Sequence, residues 1–424
     1  MIAASQPNQR QIKQHQDLVV LTVGLALFND ILLLLMLVPM LPVLISDASP
    51  TNSDMRLAVL FATKDIFQVI CAPLAGMATL RLGPRVSFAA SLFGLAASTV
   101  AFAEAHGYRM LLCARALQGV TSAALMTGGL SLITLTHKPS DRASAIARAH
   151  SGLGLGAAAG PVLGGLLYDW IGRRATFYAA AGLVLFTFVA QLCLTFMAPA
   201  GLALYDEGSG SGGGARGARS AAEQQPALAQ LLALLTNRDI RVAALGILAA
   251  YACGGVFDAM FGVHVADVFG FNPSRASLLF AIEPIAYLAL LTVLAPLADG
   301  VPFPWWTKPR LSALGLALTA LSLPLMPLGS SLASVVASLL VHGAGYAARD
   351  TVGHGLLADL VDRHKVGSYA MAFALADCAD SVGYIVGPIV GFALARWLRS
   401  RTAALLAVGA ICAALSPAIA RVAA

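Results

Sequence analysis

Charged side chains are scarce in this sequence. Asp, Glu, Lys and Arg make up 11% of the 424 residues, hydrophobic residues make up 58%, and the mean hydropathy is +0.79. Soluble domains carry about 25% charged residues, so this composition excludes an ordinary soluble protein and indicates a chain that crosses a membrane several times. The net charge of +6 does not require a nucleic-acid partner, because basic residues between spans orient membrane proteins.

Cysteine is also scarce, and its placement excludes two kinds of site. All six cysteines fall inside apolar segments and none forms a Cys-x-x-Cys pair, so neither a disulfide framework nor a zinc site is indicated. The spans contain neither HExxH nor GxSxG and no paired histidines, which disfavours a membrane-embedded enzyme. We expect no enzymatic activity, no cofactor and no metal. A cleavable signal peptide is not expected either, because the first twenty residues are polar and the run from Leu18 is long enough to span.

The sequence does contain twelve long apolar runs. Each is long enough to cross a bilayer as a helix rising about 1.5 Å per residue. They lie near 18–46, 56–80, 86–105, 109–136, 144–169, 175–199, 240–266, 274–298, 309–328, 331–360, 366–395 and 401–420. These runs predict an all-α integral membrane protein with twelve transmembrane helices.

A polar segment separates the sixth run from the seventh. Residues 208–214 contain only Gly and Ser and are followed by Arg216 and Arg219, a composition typical of a flexible linker. The predicted organisation is therefore an N-terminal half of six helices at 1–199, a cytosolic linker at 200–239 and a C-terminal half of six helices at 240–424.

The distribution of basic residues predicts the orientation. With the N-terminus in the cytosol, 16 of the 27 Lys and Arg residues fall on the cytosolic side and 8 on the opposite side. This two-to-one bias places both termini in the cytosol.

The two halves repeat one motif. The fifth run contains Gly156, Gly160 and Pro161, and the eleventh contains Gly387 and Pro388 in the same relative positions. Small residues at every fourth position allow two helix backbones to approach closely. The repetition of the motif six helices apart indicates an internal duplication.

Several ionisable residues lie inside the apolar runs. Asp350 lies in the tenth run, and Asp377, Asp380 and Tyr384 form one polar stripe on the eleventh. An ionised Asp in mid-bilayer costs about 2.5–3.5 kcal/mol, so a group of them indicates an ion or substrate pathway. Lys64 in the second run needs a partner for the same reason, and Gln68 lies one turn away on the same face.

At these residues the sequence resembles the major facilitator superfamily and, within it, the vesicular amine transporters, which load monoamines or acetylcholine into vesicles. The resemblance extends from about residue 20 to residue 395. The positions that carry it are Asp30, Pro39 and Pro42, the stretch 61–64, Arg115, Gln118 and Gly119, the Gly-Pro motif of the fifth run, Tyr287, the stretch 355–364, and the stretch 369–388.

The resemblance implies a major facilitator fold of two six-helix halves and a set of substrate-binding residues. Asp30 would be the counter-charge for the ammonium of the substrate. The family has a Glu in the seventh helix, and the matching position here is Asp258, which is one methylene shorter. Tyr287 and Tyr384 would line the amine site with aromatic faces and hydroxyl groups.

The resemblance also implies residues for proton coupling. Asp350 would take up the exchanged proton, and Asp377, the second proton-coupling candidate, would form an ion pair with Lys64 that links the two halves. Arg349, beside Asp350, departs from the family pattern and could hold that aspartate ionised.

Four further residues are candidates for lining the cavity or for gating. For Arg115 a structural role is weighed equally with a cavity role, and Glu283 lies one turn before Tyr287. Asp380 and Arg349 complete this set.

These observations predict a proton-coupled antiporter that exports small organic cations from the cytosol by alternating access. Its partners would be a monoamine-like cation, protons and the lipid bilayer, with no nucleic acid, and a monomer is expected. The expected location is a vesicle or other acidic-compartment membrane, alternatively the plasma membrane. Two alternatives stay open: a plasma-membrane multidrug:proton antiporter of the same fold, and a receptor or scaffold that transports nothing.

The orientation can be tested by labelling introduced cysteines. We expect Ser5→Cys, Ser211→Cys and Ala423→Cys to react with an impermeant maleimide only from the cytosolic side, because the charge bias places all three there. The six native cysteines give the background, measured on the unsubstituted protein. Labelling of any one introduced cysteine from the opposite side would overturn the orientation.

Overall fold

The computed structural model describes residues 9–48, 53–197, 226–271, 278–299, 306–328 and 331–422, and every regular element in these ranges is helical. The α-helices are α1 (Gln9–Ala48), α2 (Ser53–Leu82), α3 (Pro84–Ala103), α4 (Tyr108–Thr136), α5 (Arg142–Phe196), α6 (Ala227–Thr236), α7 (Arg238–Phe269), α8 (Ile282–Leu294), α9 (Lys308–Leu328), α10 (Leu332–His364), α11 (Tyr369–Trp397), α12 (Arg401–Ala413) and α13 (Ser416–Ala420). Short 3₁₀ helices lie at Pro139–Asp141 and Ala295–Leu297. Helices suit a bilayer because they satisfy their backbone hydrogen bonds internally.

Helix α5 contains two crossings rather than one. Gly156 lies against Phe28, and Thr187 accepts a hydrogen bond from Asn29, the next residue of α1. A straight helix would separate positions 156 and 187 by about 46 Å. The chain must therefore turn back between them, and Gly172, midway, has φ 75° in the left-handed region.

Twelve crossings result. Within the described residues eleven helical stretches are long and apolar enough to span a bilayer, and Pro139–Phe196 supplies two crossings through its turn at Gly172. The predicted all-α fold of twelve transmembrane helices is confirmed.

The repeated glycine motifs make equivalent contacts in the two halves. In the N-terminal half, Gly156 and Gly160 of α5 pack directly on α1. In the C-terminal half, Gly383 and Gly387 of α11 pack on α7, and a Cβ at Gly387 would lie 2.3 Å from the carbonyl oxygen of Ala252. Each motif thus brings the fifth crossing of its half against the first, as expected from an internal duplication.

The short helix α6 lies inside the predicted linker. Residues 198–225 are outside the described part of the chain, but Ala227–Thr236 is helical. Ser368, between α10 and α11, donates a hydrogen bond to Gln230 of α6 (3.2 Å), and Leu234 packs on Gly367. This face of the molecule is called the linker side below, and it is the side predicted to be cytosolic. The domain boundaries stay predictions.

The two halves meet along α2 with α11 and along α5 with α8 and α10. A Cβ at Gly76 of α2 would touch Met371, and a Cβ at Gly355 of α10 would touch Ala143. These contacts begin at the linker side and continue inward to a hydrogen bond between Gln68 and Asp377. The halves are therefore closed against each other on the linker side.

The close packing of α5 on α1 can be tested with two glycines of the same helix. A Cβ at Gly156 would lie 2.6 Å from the carbonyl oxygen of Phe28, whereas a Cβ at Gly165 would meet nothing within 4 Å. We expect Gly156→Ala to lower the free energy of unfolding by about 1–3 kcal/mol, because the backbones must move apart. Gly165→Ala should be neutral or stabilising, since Ala favours the helix. The measurement is thermal unfolding in detergent, and equal effects of the two changes would contradict the packing.

Candidate functional site

Asp30 is held by a hydroxyl group and a cation inside the N-terminal half. Ser122 of α4 donates a hydrogen bond of 2.5 Å to Asp30 Oδ1, and Lys64 Nζ of α2 lies 3.6 Å from Asp30 Oδ2. All three side chains are buried. Helix α2 reaches this position because Gly119 of α4 lets the backbone at Lys64 approach closely. The aspartate predicted to bind an ammonium therefore lies in the bundle interior.

Lys64 reaches Asp377 through an intermediate residue. Lys64 Nζ donates to Gln68 Oε1 at 3.0 Å, and Gln68 Nε2 donates to Asp377 Oδ1 at 2.7 Å. The structure thus differs from the predicted direct ion pair, because the Gln68 amide occupies the space between the two charges. The ammonium pairs instead with Asp30 in its own half, and the link between the halves is the chain Lys64–Gln68–Asp377. Asp377 Oδ2 has no hydrogen-bond partner among the described residues.

Asp350 is held in the same way as Asp30, but in the C-terminal half. The hydroxyl of Tyr287 in α8 donates to Asp350 Oδ2 at 3.1 Å, and the Arg349 guanidinium pairs with Asp350 Oδ1. The same guanidinium lies 3.9 Å from Asp380 Oδ1 and 4.4 Å from the ring centre of Tyr251. Only 1% of Arg349 is exposed. A buried cation at this position is sustained by two carboxylates and an aromatic face.

Asp258 and Tyr384 form a separate group nearer the opposite side. Asp258 lies twenty residues into α7, about 30 Å from the start of that helix on the linker side. It accepts a hydrogen bond from the Tyr384 hydroxyl, and Glu283 of α8 is close enough to interact electrostatically with it. Among the described residues no Lys or Arg pairs with Asp258 or Glu283. Tyr384 is 40% exposed, whereas Asp350 is buried.

The predicted polar stripe of α11 divides among three neighbours. Asp377 faces α2, Asp380 faces α10 and Tyr384 faces α7. The structure therefore does not bring the predicted substrate residues into one group. Tyr287, in particular, packs between α5 and α10 beside Asp350 and contributes nothing to the surroundings of Asp30.

A set of polar contacts, here called the latch, closes the linker side. Arg142 at the start of α5 pairs with Asp362 of α10 at 2.5 Å. The backbone N–H groups of Ala143 and Ser144 donate to the two oxygens of Asp299 at 3.0 and 2.7 Å. A carboxylate at a helix N-terminus satisfies donors that the helix cannot and complements the helix dipole. Lys308 in turn lies 3.1 Å from Asp299, so the latch is anchored in the C-terminal half.

Arg115 lies fully buried within the N-terminal half. It donates to Gln118 Oε1 at 2.7 Å and lies 5.8 Å from the ring centre of Phe102. The guanidinium is also close enough to Asp65 of α2 and Asp30 of α1 to interact with both carboxylates electrostatically, so Arg115 belongs to the charged surroundings of Asp30 as well as to the packing of α3 and α4.

Sequence reasoning missed several residues of these groups. Ser122 and Tyr251 are ordinary residues of apolar runs, and only their rotation toward Asp30 and Arg349 gives them a role. Asp299 did have a signal: it follows the eighth run, at the position where a basic turn (residues 81–85) follows the second run, so the two halves correspond there.

The partner of Lys64 can be identified by double-mutant cycles. Lys64→Met should lower the free energy of unfolding by about 3–5 kcal/mol, because it leaves a buried carboxylate uncompensated. We expect Asp30→Asn to recover more of this loss than Asp377→Asn, because the 3.6 Å contact is direct and the other is mediated. Gln68→Leu should remove the remaining coupling between Lys64 and Asp377. The measurement is thermal unfolding, with Asp267→Asn on the exposed rim as the uncoupled control, and a larger coupling to Asp377 than to Asp30 would contradict the arrangement.

Comparison with known proteins agrees with this architecture. The sequence model of the Major Facilitator Superfamily matches residues 23–257 and 243–422. The crystal structure of the human organic anion transporter TETRAN superposes with a TM-score of 0.75 at 18% identity, covering 98% of this chain and 100% of that one, which supports the fold alone.

Three relatives in sequence are named for amines or acetylcholine. The synaptic vesicular amine transporter of Bos taurus is 25% identical over 351 residues, which cover 82% of this chain and 63% of the relative. The vesicular acetylcholine transporter of Rattus norvegicus is 29% identical over 343 residues, covering 80% of this chain and 61% of the relative. A probable vesicular acetylcholine transporter of Danio rerio is 26% identical over 388 residues, covering 90% and 74%. The chain thus spans less than two thirds of the length of the first two. With twelve crossings in two duplicated halves and a family match along most of its length, this chain belongs to the Major Facilitator Superfamily and resembles its vesicular amine transporters.

Proposed function

We propose that this protein is a proton-coupled antiporter that moves small organic cations out of the cytosol by alternating access. The observation that carries the proposal is a matched pair of buried aspartates, one in each half. Asp30 is held by the Ser122 hydroxyl and Lys64, and Asp350 by the Tyr287 hydroxyl and Arg349. One such group suits a cationic substrate and the other suits a proton, and antiport requires both.

The substrate class follows from charge and aromatic surface. Asp258 and Glu283 lie near Tyr384 with no Lys or Arg paired to them among the described residues. Carboxylates beside an aromatic face attract an ammonium group. Asp30 is more buried than Asp258 and Glu283, and Lys64 Nζ lies 3.6 Å from its carboxylate. It is therefore suited to receive the ammonium of the substrate after Lys64 moves away. The relatives named for amines and for acetylcholine support the same class.

The two carboxylates around Arg349 support the proposed proton coupling. In the structure Arg349 pairs directly with Asp350, and Asp380 lies 3.9 Å away. When Asp350 takes a proton, its attraction for the guanidinium falls, and Asp380 becomes the stronger partner. Because Arg349 and Asp350 lie on α10 and Asp380 lies on α11, a proton on Asp350 changes how these two helices are held. That change is the link between protonation and conformation.

The latch identifies the conformation of the transporter as one that is closed on the linker side. Arg142–Asp362 and the Asp299 contacts close the linker side, while Tyr384, which lies beside Asp258 and farther from that side, is 40% exposed. In the proposed cycle the protein in this state releases its amine and takes up protons from the opposite side. One pH unit then supplies about 1.4 kcal/mol for each proton exchanged. The vesicular relatives favour the membrane of a vesicle or another acidic compartment, with the linker side in the cytosol.

Neutralising Asp350 and neutralising Asp30 should have different effects on transport and on binding. Asp350→Asn should abolish pH-gradient-driven accumulation but leave amine binding measurable, because the carboxylate that takes the proton is gone while Asp30 remains. Asp30→Asn should weaken amine binding itself by about tenfold or more, as expected from the loss of a buried charge partner. The measurements are equilibrium binding and uptake after a pH jump in proteoliposomes, screened across monoamines, polyamines, choline esters and cationic drugs.

Asp267→Asn is the matched control, because Asp267 pairs with Arg401 on the exposed rim. It should leave both measurements unchanged. Accumulation by Asp350→Asn against a gradient would assign the proton to another residue, and an absence of gradient-driven uptake by the wild-type protein for every cation would overturn the antiporter.

A further inference from the structure

Two buried imidazoles meet across the interface of the halves. The ring centre of His150 on α5 lies 4.9 Å from that of His354 on α10, with the rings nearly perpendicular at 85°. Both residues are buried. Neither histidine belongs to the substrate or proton groups described above, and neither takes part in the packing contacts of the two glycine motifs. The pair therefore needs an explanation of its own.

The pair lies between Asp350 and the latch. On α10, His354 is one turn from Asp350 and eight residues, about 12 Å, from Asp362. On α5, His150 is eight residues, again about 12 Å, from Arg142. Since Arg142 and Asp362 pair at the linker side, both helices place their imidazole at the same depth. A proton leaving Asp350 toward the linker side must pass this level.

The surroundings of the pair contain few other ionisable groups. The charged groups that act on the imidazoles are Asp350 and Arg349, both on α10. From α8 the Tyr287 hydroxyl connects the two sides, because it donates to Asp350 Oδ2 at 3.1 Å and reaches the backbone carbonyl of His150 at 3.4 Å. From α11 the apolar ring of Phe373 approaches, with its centre 6.2 Å from that of His354.

Three of the four ring nitrogens make no hydrogen bond with the described residues. His150 Nδ1 and Nε2 and His354 Nδ1 have no hydrogen-bond partner among the described residues. Leaving a buried polar group without a partner costs about 1–3 kcal/mol, so a purely structural role would be served better by an apolar ring. His342 of the same helix shows the structural alternative: although its Nε2 lacks a partner, its Nδ1 contacts the Ser322 hydroxyl at 2.7 Å and its ring stacks on Phe257 at 4.2 Å.

We propose that His150 and His354 form a one-proton relay that carries the proton from Asp350 to the linker side. This relay rests on the proposed antiport. The O–H bond of protonated Asp350 breaks, an N–H bond forms on an imidazole, and the carboxylate regains its pairing with Arg349. Only one of the two rings carries the proton, because two cations 4.9 Å apart in the interior repel strongly. No hydrogen bond joins the rings in this structure, but rotation of one protonated ring would let the neutral ring accept from it, and that bond would stabilise the cation.

Opening of the linker side completes the transfer. The two rings belong to different halves, so the movement that separates Arg142 from Asp362 also separates His150 from His354. The charged imidazole then loses its acceptor and meets water, its N–H bond breaks, and the proton passes to the solvent on the linker side. Proton release is thereby confined to the conformation in which that side is open.

The test compares two kinds of transport by the full-length protein in liposomes. Counterflow exchanges labelled for unlabelled cation and requires no net proton movement, whereas uptake after a pH jump does. Tyramine and acetylcholine serve as the two cations. The variants are His150→Gln, His354→Gln and the double change, with His342→Gln as the control on the same helix.

We expect counterflow within twofold of wild type in all variants. Gradient-driven uptake should fall about tenfold or more in each single variant and no further in the double one, because the two rings share one proton. The remaining uptake should lose its dependence on linker-side pH, because no intact imidazole relay is left to pass the proton to that side. The control His342→Gln should retain both the rate and the pH profile.

Three outcomes would overturn the relay. These are a wild-type rate and pH profile in both single variants, an equal loss in His342→Gln, or a parallel loss of counterflow and gradient-driven uptake, which would indicate a structural role. A Gln variant that does not reconstitute is replaced by the Asn variant and judged by the same ratio of the two rates. Failure of the wild-type protein to accumulate either cation would instead contradict the proposed antiport, and the relay with it.

Discussion

The rest of this structure depends on keeping ionised side chains neutralised inside apolar helices. An isolated charge at this depth is costly, so each buried cation determines which helices must stay together. Lys64 holds α1 and α2 together through Asp30, and Arg349 holds α10 near α11 through Asp350 and Asp380. Changing the proton occupancy of one aspartate therefore changes a helix contact. That is the physical basis on which a proton gradient can act on this fold.

The two halves are similar in how their helices pack and different in how their buried charged residues are arranged. The glycine motifs place α5 on α1 and α11 on α7 in equivalent ways. The charged residues do not follow this symmetry: the N-terminal aspartate has a lysine from a different helix, whereas Asp350 has the arginine beside it in sequence. A lysine on another helix can be displaced from the aspartate by a competing ammonium. An adjacent arginine can only redistribute between carboxylates, which suits the proposed division between substrate and proton.

Most of the fold could be predicted from the sequence, because span length and apolar composition are properties of single segments. The positions of Asp30, Asp350 and Asp377 were also visible, since a carboxylate in an apolar run stands out. Their partners were not. Whether Lys64 meets Asp30 or Asp377 depends on helix rotation and crossing by a few ångströms, and Gln68 decides it. The role of His150 could not be predicted from the sequence, because a single histidine in an apolar run is most simply explained as a packed residue. Only the structure shows that another helix brings a second histidine beside it.

The position of Asp299 has a consequence for the solution on one face of the membrane. Its carboxylate covers the positive end of α5 while Lys308 of its own half pairs with it, so opening the linker side would separate the helix dipole from the carboxylate and leave Lys308 with Asp299. Dissolved ions screen such charges over about 8 Å at 0.15 M. A higher ionic strength on the linker side therefore lowers the cost of separating these charges, and the balance between the two orientations becomes sensitive to the salt content of that compartment.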